Sequence, residues 1–336
     1  MKMKKQNLEK VLIKIFRKQK LSKNHSRISS QALINAELVG AYGHGLSRLK
    51  MYCDRIQKKL INPKPKIKTK KISNSISLID ADNSIGFVAA DIGIKKAIQN
   101  AKKTGFGLVG IKNSGHYGLS GYYAQQAVEK NLITMIYTNA PPAIAPHGAS
   151  KSLFGTNPIC FGCPSGSKVP FILDTSISMI NRGKIRVAAR NREKIPEGVA
   201  LDKHGNPTTN AEKALKGVQL PIAGFRGSGI AWMIDILSGV LTGGNHAGKV
   251  KDPFEDFSGP QNIGHLIITF KANIFDINFN KRIKDNINIV KRLPKIKGVK
   301  KILYPGESKF YRFKKNFKRD ISINKIIQDD LKILLN

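Results

Sequence analysis

The sequence is poor in the residues that build disulfide frameworks and membrane spans. Only three cysteines occur in 336 residues, at Cys53, Cys160 and Cys163. This small, odd set favours a reducing compartment over a secreted disulfide scaffold, so we expect a cytoplasmic protein. No stretch approaches the roughly 18 consecutive apolar residues of a membrane span. The N-terminal apolar residues alternate with charged ones, which indicates an amphipathic helix and not a secretory signal.

A metal centre is also not indicated. Cys160 and Cys163 form a CxxC pair, but no second pair of ligands with zinc-site spacing accompanies it. No thioredoxin-like pattern surrounds the pair either. We therefore expect no metal.

Acidic residues are scarce: 22 Asp and Glu stand against 58 Lys and Arg, for a formal net charge of +36. Such a balance raises the alternative of a nucleic-acid-associated protein, because phosphate binding relies on basic surfaces. The lysines are instead spread from Lys2 to Lys332, without an aromatic-interleaved stripe or a recognisable motif. We expect no specific nucleic-acid partner, and a positive field that attracts small anions.

The hydrophobic pattern predicts an α/β core with helices at both ends of the chain. Apolar residues at helical spacing begin at Leu8, and a second helix is expected over about 28–38. The basic run 64–73 is interpreted as a solvated connector. Further elements are expected in this order: strand and turn 76–86, helix ending at Gly105, buried strand 106–116, strands 134–141 and 170–178, helix 223–244, strand 262–272 and basic helices after 281. We expect the two chain ends to pack together.

Gly105, Gly107 and Gly110 spell the dinucleotide fingerprint GxGxxG. Its mechanism requires a strand before the glycines and a helix after them. Here the predicted order is reversed, so Gly105 is interpreted as a helix C-cap and the other two as strand glycines.

Three residues of GHGLSRLKMY are spaced to share one helical face: His44, Arg48 and Tyr52. An imidazole can exchange a proton, a guanidinium can hold a carboxylate with two hydrogen bonds, and a phenol can add another. The alternative is a surface histidine beside a salt-bridging arginine. A second histidine, His116, follows a predicted buried strand in a glycine-rich turn, where it can serve a binding loop or merely bond within its own turn.

Polar clusters occur at further strand ends. Thr156 lies in a turn, and Asp174, Thr175 and Ser176 end a strand, where Asp174 can orient an imidazole or cap a turn. Arg226 opens a predicted helix, which is a suitable place for an anion.

Ten segments, in order and at similar spacing over nearly the whole chain, resemble the malate/L-lactate dehydrogenase type 2 family. That family includes ureidoglycolate, sulfolactate and diketogulonate enzymes as well as cyclic-imine reductases. The segments are GHGLSRL, IDADNSIGF, NSGHYGLSGYYA, TNAPPAIAPHGA, FGTNPICF, FILDTSIS, RGKI, IPEGVALDKHGNPTTN, GFRGSGIAWMIDILSGVLTGG and YPGE.

The resemblance implies a non-Rossmann, mixed-sheet α/β fold of the L-sulfolactate dehydrogenase-like type that binds NAD or NADP. It also implies a homodimer with the cofactor near the subunit interface. We expect a discontinuous helical domain from residues 1–75 and about 281–336, around an α/β domain of about 76–280. The implied activity is hydride transfer between the nicotinamide and C2 of a small 2-hydroxy or 2-keto acid, with a lean toward malate or sulfolactate because of the basic field.

The resemblance also implies roles for individual residues. His44 is the first candidate for the proton donor and His116 the second, while Arg48 and Thr156, with Tyr52 and His116 nearby, hold the substrate. Asp174 would complete the catalytic group if it reaches an imidazole. The implied cofactor contacts are His116, Tyr117, Gly118, Ser120, Gly121, Asp174, Thr175, Ser176, Arg226, Pro305, Gly306 and Glu307.

The sequence departs from the family pattern in three places. Gly43 stands where a serine usually precedes the histidine, which removes the serine of the relay proposed for the imine reductases. Arg226 replaces a common lysine, so the choice between NAD and NADP is not readable. Ala149 replaces the second glycine of a pair. Reduction of a cyclic imine carboxylate, such as pyrroline-2-carboxylate or piperideine-2-carboxylate, is the alternative activity.

Overall fold

A computed structural model describes all residues, 1–336. The helices are α1 Lys5–Lys18, α2 Lys23–Val39, α3 Leu49–Gln57, α4 Gly86–Thr104, α5 Ser120–Val128, α6 Arg182–Arg190, α7 Ala211–Leu215, α8 Phe225–Asp235, α9 Phe279–Arg292, α10 Glu307–Phe317 and α11 Lys325–Leu335. The strands are β1 Lys2–Met3, β2 Lys68–Lys71, β3 Ile76–Asp80, β4 Phe106–Ser114, β5 Leu132–Thr138, β6 Ile159–Cys163, β7 Phe171–Thr175, β8 Ala200–Leu201, β9 Val218–Gln219, β10 Ile263–Lys271 and β11 Ile321–Ser322. Two short 3₁₀ turns, Tyr42–His44 and Leu46–Arg48, precede α3, and a π-helical turn, Ile236–Val240, follows α8.

A seven-stranded mixed sheet forms the centre, in the order β2-β3-β4-β10-β5-β6-β7. Only β3 and β4 run parallel; all other neighbours are antiparallel. Helices α4 and α5 cover one face through a buried cluster that includes Ile94, Val109 and Ala124. Helix α8 covers the other face through Ala231 and Ile234. The predicted mixed-sheet α/β fold is confirmed.

The two chain ends share one hydrophobic core, as the sequence predicts. Strand β1 pairs with β11, and apolar residues of α1, α2, α3 and α11 pack together. The limits of the helical and α/β domains, at about 75 and 281, stay predictions. No helix is both long enough and apolar enough to cross a membrane.

The GxGxxG glycines have the structural roles predicted for them. Gly105 ends α4 in the left-handed conformation, with φ 88°, and Gly107 and Gly110 lie within β4. The segment is therefore a helix followed by a strand, which gives no helix N-terminus for a pyrophosphate.

Two local expectations fail. The basic run 64–73 is not only a connector, because Lys68–Lys71 forms the exposed edge strand β2. Lysines are common on edge strands because their charge prevents pairing with other chains. Strand β6 was not expected in the segment FGTNPICFG, because its two glycines and proline gave a turn-like composition.

A buried carboxyl group holds the turn between α2 and α3. Oε1 of Glu37 accepts a hydrogen bond from the Leu46 amide at 2.8 Å. A side chain at Gly45 would begin 2.1 Å from that oxygen, so the turn requires glycine. Burial raises the pKa of Glu37 to about 7, although the Leu46 hydrogen bond opposes the change. The turn carries His44, so Glu37 positions that side chain.

Glu37→Gln keeps the acceptor oxygen and removes the ionisable group. Because the folded-state pKa of Glu37 lies above its ordinary 4.5, its proton stabilises the wild type at low pH, and that stability is lost as pH rises through about 7. We expect chemical denaturation to show the variant about 1–3 kcal/mol more stable than the wild type at pH 8, and nearly equal at pH 5. The exposed Glu129→Gln is the control. A difference that does not change with pH would contradict this role.

Candidate active site

The two 3₁₀ turns, helix α3 and the loop between β4 and α5 bring His44, Arg48, Tyr52 and His116 together. The rings of His44 and His116 stack with centroids 5.5 Å apart and planes 6° apart. The hydroxyl of Tyr52 lies 2.6 Å from Nδ1 of His116. Tyr52 and His116, 64 positions apart, thus belong to one cluster. The helical-spacing argument predicted proximity only for His44, Arg48 and Tyr52.

Close packing against α4 fixes the loop that carries His116. A Cβ at Gly86, the first residue of α4, would lie 2.2 Å from the Gly115 carbonyl oxygen and 2.4 Å from that of His116. Only glycine permits this approach. The His116 amide also donates to Oε1 of Gln261 at 3.3 Å. Hydrogen bonds of both the backbone and the side chain of His116 therefore fix the position of the imidazole.

Tyr52 lies in the cluster, where it contacts His116. Its side chain is 1% exposed, and its hydroxyl is engaged by His116. Burial raises the pKa of Tyr52 far above its ordinary value, so the phenol stays protonated. Tyr52 thus orients the His116 ring, and its direct contact with the substrate stays a prediction.

Both imidazoles are neutral at neutral pH. Burial, followed by the positive charges of Arg48 and Lys309, lowers the pKa of His44 to about 4. Burial and the Arg48 charge lower the pKa of His116 well below its ordinary value. Nδ1 of His44 is buried without a hydrogen-bond partner, whereas Nδ1 of His116 is bonded to Tyr52. His116 therefore has the orienting partner that a proton-exchanging imidazole requires.

The Arg48 guanidinium is available to an anion. Nε donates to the Gly43 carbonyl at 2.9 Å, and Nη1 lies 4.0 Å from the Met51 sulfur. No carboxylate forms an ion pair with it. The remaining N–H groups can hold a carboxylate with two parallel hydrogen bonds.

One wall of the site comes from the loop 251–259, which sequence reasoning missed. The Phe254 ring lies over the guanidinium of Arg48, 4.8 Å from its Cζ. The fully buried Arg55 fastens the loop by donating to the carbonyls of Asp256 at 2.9 Å and Gly259 at 3.0 Å. The run DPFEDFSGP has an ordinary loop composition, so nothing in the sequence identified this loop as part of the site. Arg55 has the sequence pattern of a surface residue of α3, so its role in holding the loop was not predicted.

Asp174 does not reach an imidazole. Its Oδ2 accepts from the Gly121 amide at 2.9 Å and lies 3.8 Å from Nζ of Lys309. The condition for its catalytic role is not met, and it links the start of α5 to α10. Sequence reasoning missed Lys309. Its ammonium group lies beside this carboxylate, and its positive charge also lowers the pKa of His44.

The other predicted cofactor residues divide into buried and accessible ones. Tyr117 and Ser120 are buried, and their hydroxyls lie 2.7 Å from each other, so at these two positions only the backbone can face a ligand. Glu307 is buried and paired with Lys291 at 2.6 Å. Thr175, Ser176 and Arg226 are open to solvent to different degrees, and Arg226 has no acidic partner.

Thr156 and the segment before α10 have backbone contacts. The Thr156 carbonyl accepts from Ile177 at 2.9 Å, and no hydrogen bond joins its hydroxyl to Arg48. The Pro305 carbonyl accepts from Ile172 at 3.0 Å, which places Gly306 against β7. Both segments lie at the β6–β7 edge of the sheet.

The thiols of the CxxC pair are unsuited to metal binding. Cys160 and Cys163 are free and buried in β6. Burial raises the pKa of both, that of Cys163 to about 11, so the metal-binding thiolate is disfavoured. No group of three potential ligands lies close enough to hold a metal ion.

Comparison with curated proteins gives relatives of similar length. The chain is 36% identical over 324 residues to the malate/(S)-sulfolactate dehydrogenase of Methanothermus fervidus, which covers 96% of this chain and 94% of the relative. It is 32% identical to a (2R)-3-sulfolactate dehydrogenase (NADP(+)) of Chromohalobacter salexigens, over 77% of this chain and 78% of the relative. It is 31% identical to the ureidoglycolate dehydrogenase (NAD(+)) of Escherichia coli K12, over 85% and 82%.

Solved structures show the same fold. Sulfolactate dehydrogenase from Methanocaldococcus jannaschii superposes with a TM-score of 0.93 at 34% identity, covering 99% of this chain and 96% of the other. The Δ1-piperideine-2-carboxylate reductase from Pseudomonas syringae superposes with a TM-score of 0.90 over 99% of both chains, but at 24% identity it shows the fold alone. The predicted sulfolactate dehydrogenase-like fold is confirmed.

A family model described as malate/L-lactate dehydrogenase matches residues 3–332. This match covers nearly the whole chain and includes every element of the site. The chain belongs to the malate/L-lactate dehydrogenase family.

Proposed function

We propose that the protein is an NAD(P)-dependent oxidoreductase that transfers hydride between the nicotinamide and C2 of a small 2-hydroxy or 2-keto acid. The observation that carries the proposal is the unpaired Arg48 guanidinium beside two stacked, neutral imidazoles. The names of the relatives support it, since they are malate, sulfolactate and ureidoglycolate dehydrogenases.

Arg48 binds the substrate carboxylate. With Nε fixed on Gly43, the outer edge of the guanidinium is presented in one orientation. The Phe254 ring shields one side of it from water, which strengthens an ion pair formed there. The carboxylate is thereby held with the adjacent C2 near the imidazoles.

His116 exchanges the proton of the C2 oxygen. Tyr52 holds its Nδ1, and Nε2 has no hydrogen-bond partner within the protein, so Nε2 faces the reaction. In oxidation the neutral imidazole, with its hydrogen on Nδ1 and donated to the Tyr52 oxygen, accepts the hydroxyl proton at Nε2; in reduction the imidazolium returns that proton to the developing alkoxide. The His44 ring stacks on one face of the His116 ring.

The residues at the edge of β7 and the start of α8 suit a dinucleotide. Arg226 lies unpaired in the first turn of α8, whose N-terminus has no side-chain cap, so both can meet a phosphate. Thr175 and Ser176 add hydroxyl groups, and Gly118, with φ 81°, opens the backbone of the His116 turn. A bound nicotinamide dinucleotide supplies or receives the hydride. NAD and NADP both fit this donor set, and both occur in the names of relatives.

We infer a homodimer and a cytoplasmic location as well. Helix α8, the following π-helical turn and the next residue expose a group of apolar side chains whose density is typical of a protein interface: Phe225, Trp232, Ile236, Val240 and Leu241. The three free cysteines support a reducing compartment.

The proposal is tested by following NADH and NADPH oxidation with pyruvate, oxaloacetate, sulfopyruvate and pyrroline-2-carboxylate. We expect turnover of at least one linear keto acid, because Arg48 and His116 are arranged for a carboxylate beside a carbonyl. Turnover of the cyclic imine alone, or none with either cofactor, would contradict it.

His116→Ala should lower kcat by about 10²–10⁴, the usual contribution of a general acid or base. Tyr52→Phe should lower kcat less, with little change in KM, because it removes only the orienting hydrogen bond. Steady-state kinetics with exposed Tyr311→Phe as control tests both variants. If His44→Ala lost more activity than His116→Ala, the assignment of the proton to His116 would be wrong.

The pH profile provides a separate test. Since the pKa of His116 is well below the ordinary 6.5, its neutral, proton-accepting form persists into acid. We expect kcat/KM for hydroxy-acid oxidation to fall only well below pH 6.5, as this parameter reports the free enzyme. An acid limb at or above 6.5 would count against a buried imidazole base.

Trp232→Glu should convert the dimer to a monomer in analytical ultracentrifugation, since it places a charge in the proposed interface. Exposed Ile333→Glu on α11 is the matched control and should leave the dimer intact. A wild-type monomer, or an unchanged dimer in Trp232→Glu, would exclude this face.

A further inference from the structure

Two guanidinium groups from distant parts of the chain meet at the Phe254 ring. Cζ of Arg48 lies 4.8 Å from the ring centroid, and Cζ of Arg186 lies 5.9 Å from it. Arg48 comes from the turn before α3 and Arg186 from the middle of α6. One aromatic side chain therefore gathers two positive charges at the mouth of the site.

Neither guanidinium forms an ion pair within the protein. No acidic oxygen lies within 4 Å of either guanidinium, and Arg186 donates no hydrogen bond. Burial lowers the pKa of Arg48, the Arg186 charge lowers it further, and the Asp252 carboxylate opposes the change. Two like charges that remain unpaired beside each other favour the binding of an anion.

The arrangement is held by residues behind it. Phe254 lies in the loop fastened by Arg55, and Oδ1 of Asp252 accepts from the Phe254 amide at 2.8 Å. Helix α6 is anchored through buried Ile185 and Ala188, which direct the opposite face, with Arg186, outward. Phe254 and the backbone of α6 are therefore positioned by buried contacts, and the exposed Arg186 side chain extends from that helix to within 5.9 Å of the Phe254 ring centroid.

We propose that Arg186 is a specificity-determining residue that binds a second anionic group, at the far end of the substrate from the carboxylate held by Arg48. The substrate class is a dianionic 2-hydroxy or 2-keto acid whose side chain ends in a carboxylate or sulfonate. This inference rests on the proposed function and assigns its selectivity to one residue. A guanidinium suits either terminal group because its planar N–H donors match their oxygen pairs.

The test compares kcat/KM for oxaloacetate and pyruvate in Arg186→Gln. Loss of a charge-assisted hydrogen bond should lower kcat/KM for dianionic oxaloacetate about 30-fold, mainly through KM, and change the value for monoanionic pyruvate less than about 3-fold. Arg186→Lys should retain part of the preference. Arg190→Gln, exposed one turn further along α6, is the matched control and should leave the ratio unchanged.

The outcomes separate this inference from the proposed function. If the wild type reduces neither keto acid with NADH or NADPH, the proposed function fails and this inference falls with it. If the wild type is active but Arg186→Gln leaves the ratio unchanged, only the role of Arg186 is overturned. An equal loss with both keto acids, seen with NADPH and not NADH, would assign Arg186 to the cofactor phosphate and overturn the inference as well.

Discussion

The hydrogen bond between Tyr52 and His116 is the contact on which the site depends. Tyr52 belongs to the core shared by the two chain ends, whereas His116 belongs to the loop that leaves strand β4 of the seven-stranded sheet. The 2.6 Å bond therefore joins the helical part of the chain to the sheet and fixes the imidazole at the same time. Stacking of His44 on His116, and the close approach of that loop to Gly86, follow from the same placement. An orienting group held in a core is rigid, so the ring keeps one direction without the help of a carboxylate.

The distribution of charge explains why the site favours the binding of anions. Burial and neighbouring positive charges keep both imidazoles neutral, while Arg48 and Arg186 remain without acidic partners. A substrate carboxylate at Arg48 would offset one of the charges that lower the imidazole pKa values, and so would favour the protonated donor needed for reduction. Binding of the substrate carboxylate and protonation of the imidazole are thus coupled through Arg48. The chain-wide excess of basic residues adds a long-range attraction, whereas selectivity comes from the two guanidinium groups at Phe254.

Much of this could be predicted from local sequence, and the remainder could not for identifiable reasons. The C-cap at Gly105, the strand that carries Gly107 and Gly110, and the binding-loop position of His116 follow from glycine placement and hydrophobic period. The resemblance gave the mixed-sheet fold. Strand β2 was missed because an edge strand of lysines has no apolar alternation, and β6 because glycine and proline dominated its surroundings. Four side chains acquire their roles only through contacts with residues far away in the chain, and no spacing rule predicts such contacts. They are Arg55, Arg186, Phe254 and Lys309. Asp174 was assigned to an imidazole by analogy, whereas its position at β7 directs it to Gly121 and Lys309.

A crystal structure of the protein with NADH and oxamate, a carboxylate that resembles a 2-keto acid but is not readily reduced, tests the central claim most directly. The account predicts that the oxamate carboxylate makes two hydrogen bonds to Arg48 and that its carbonyl oxygen lies within hydrogen-bond reach of Nε2 of His116, with Nδ1 still on Tyr52. Oxamate bound away from Arg48, or with its carbonyl directed to His44 alone while His116 has turned from Tyr52, would contradict it.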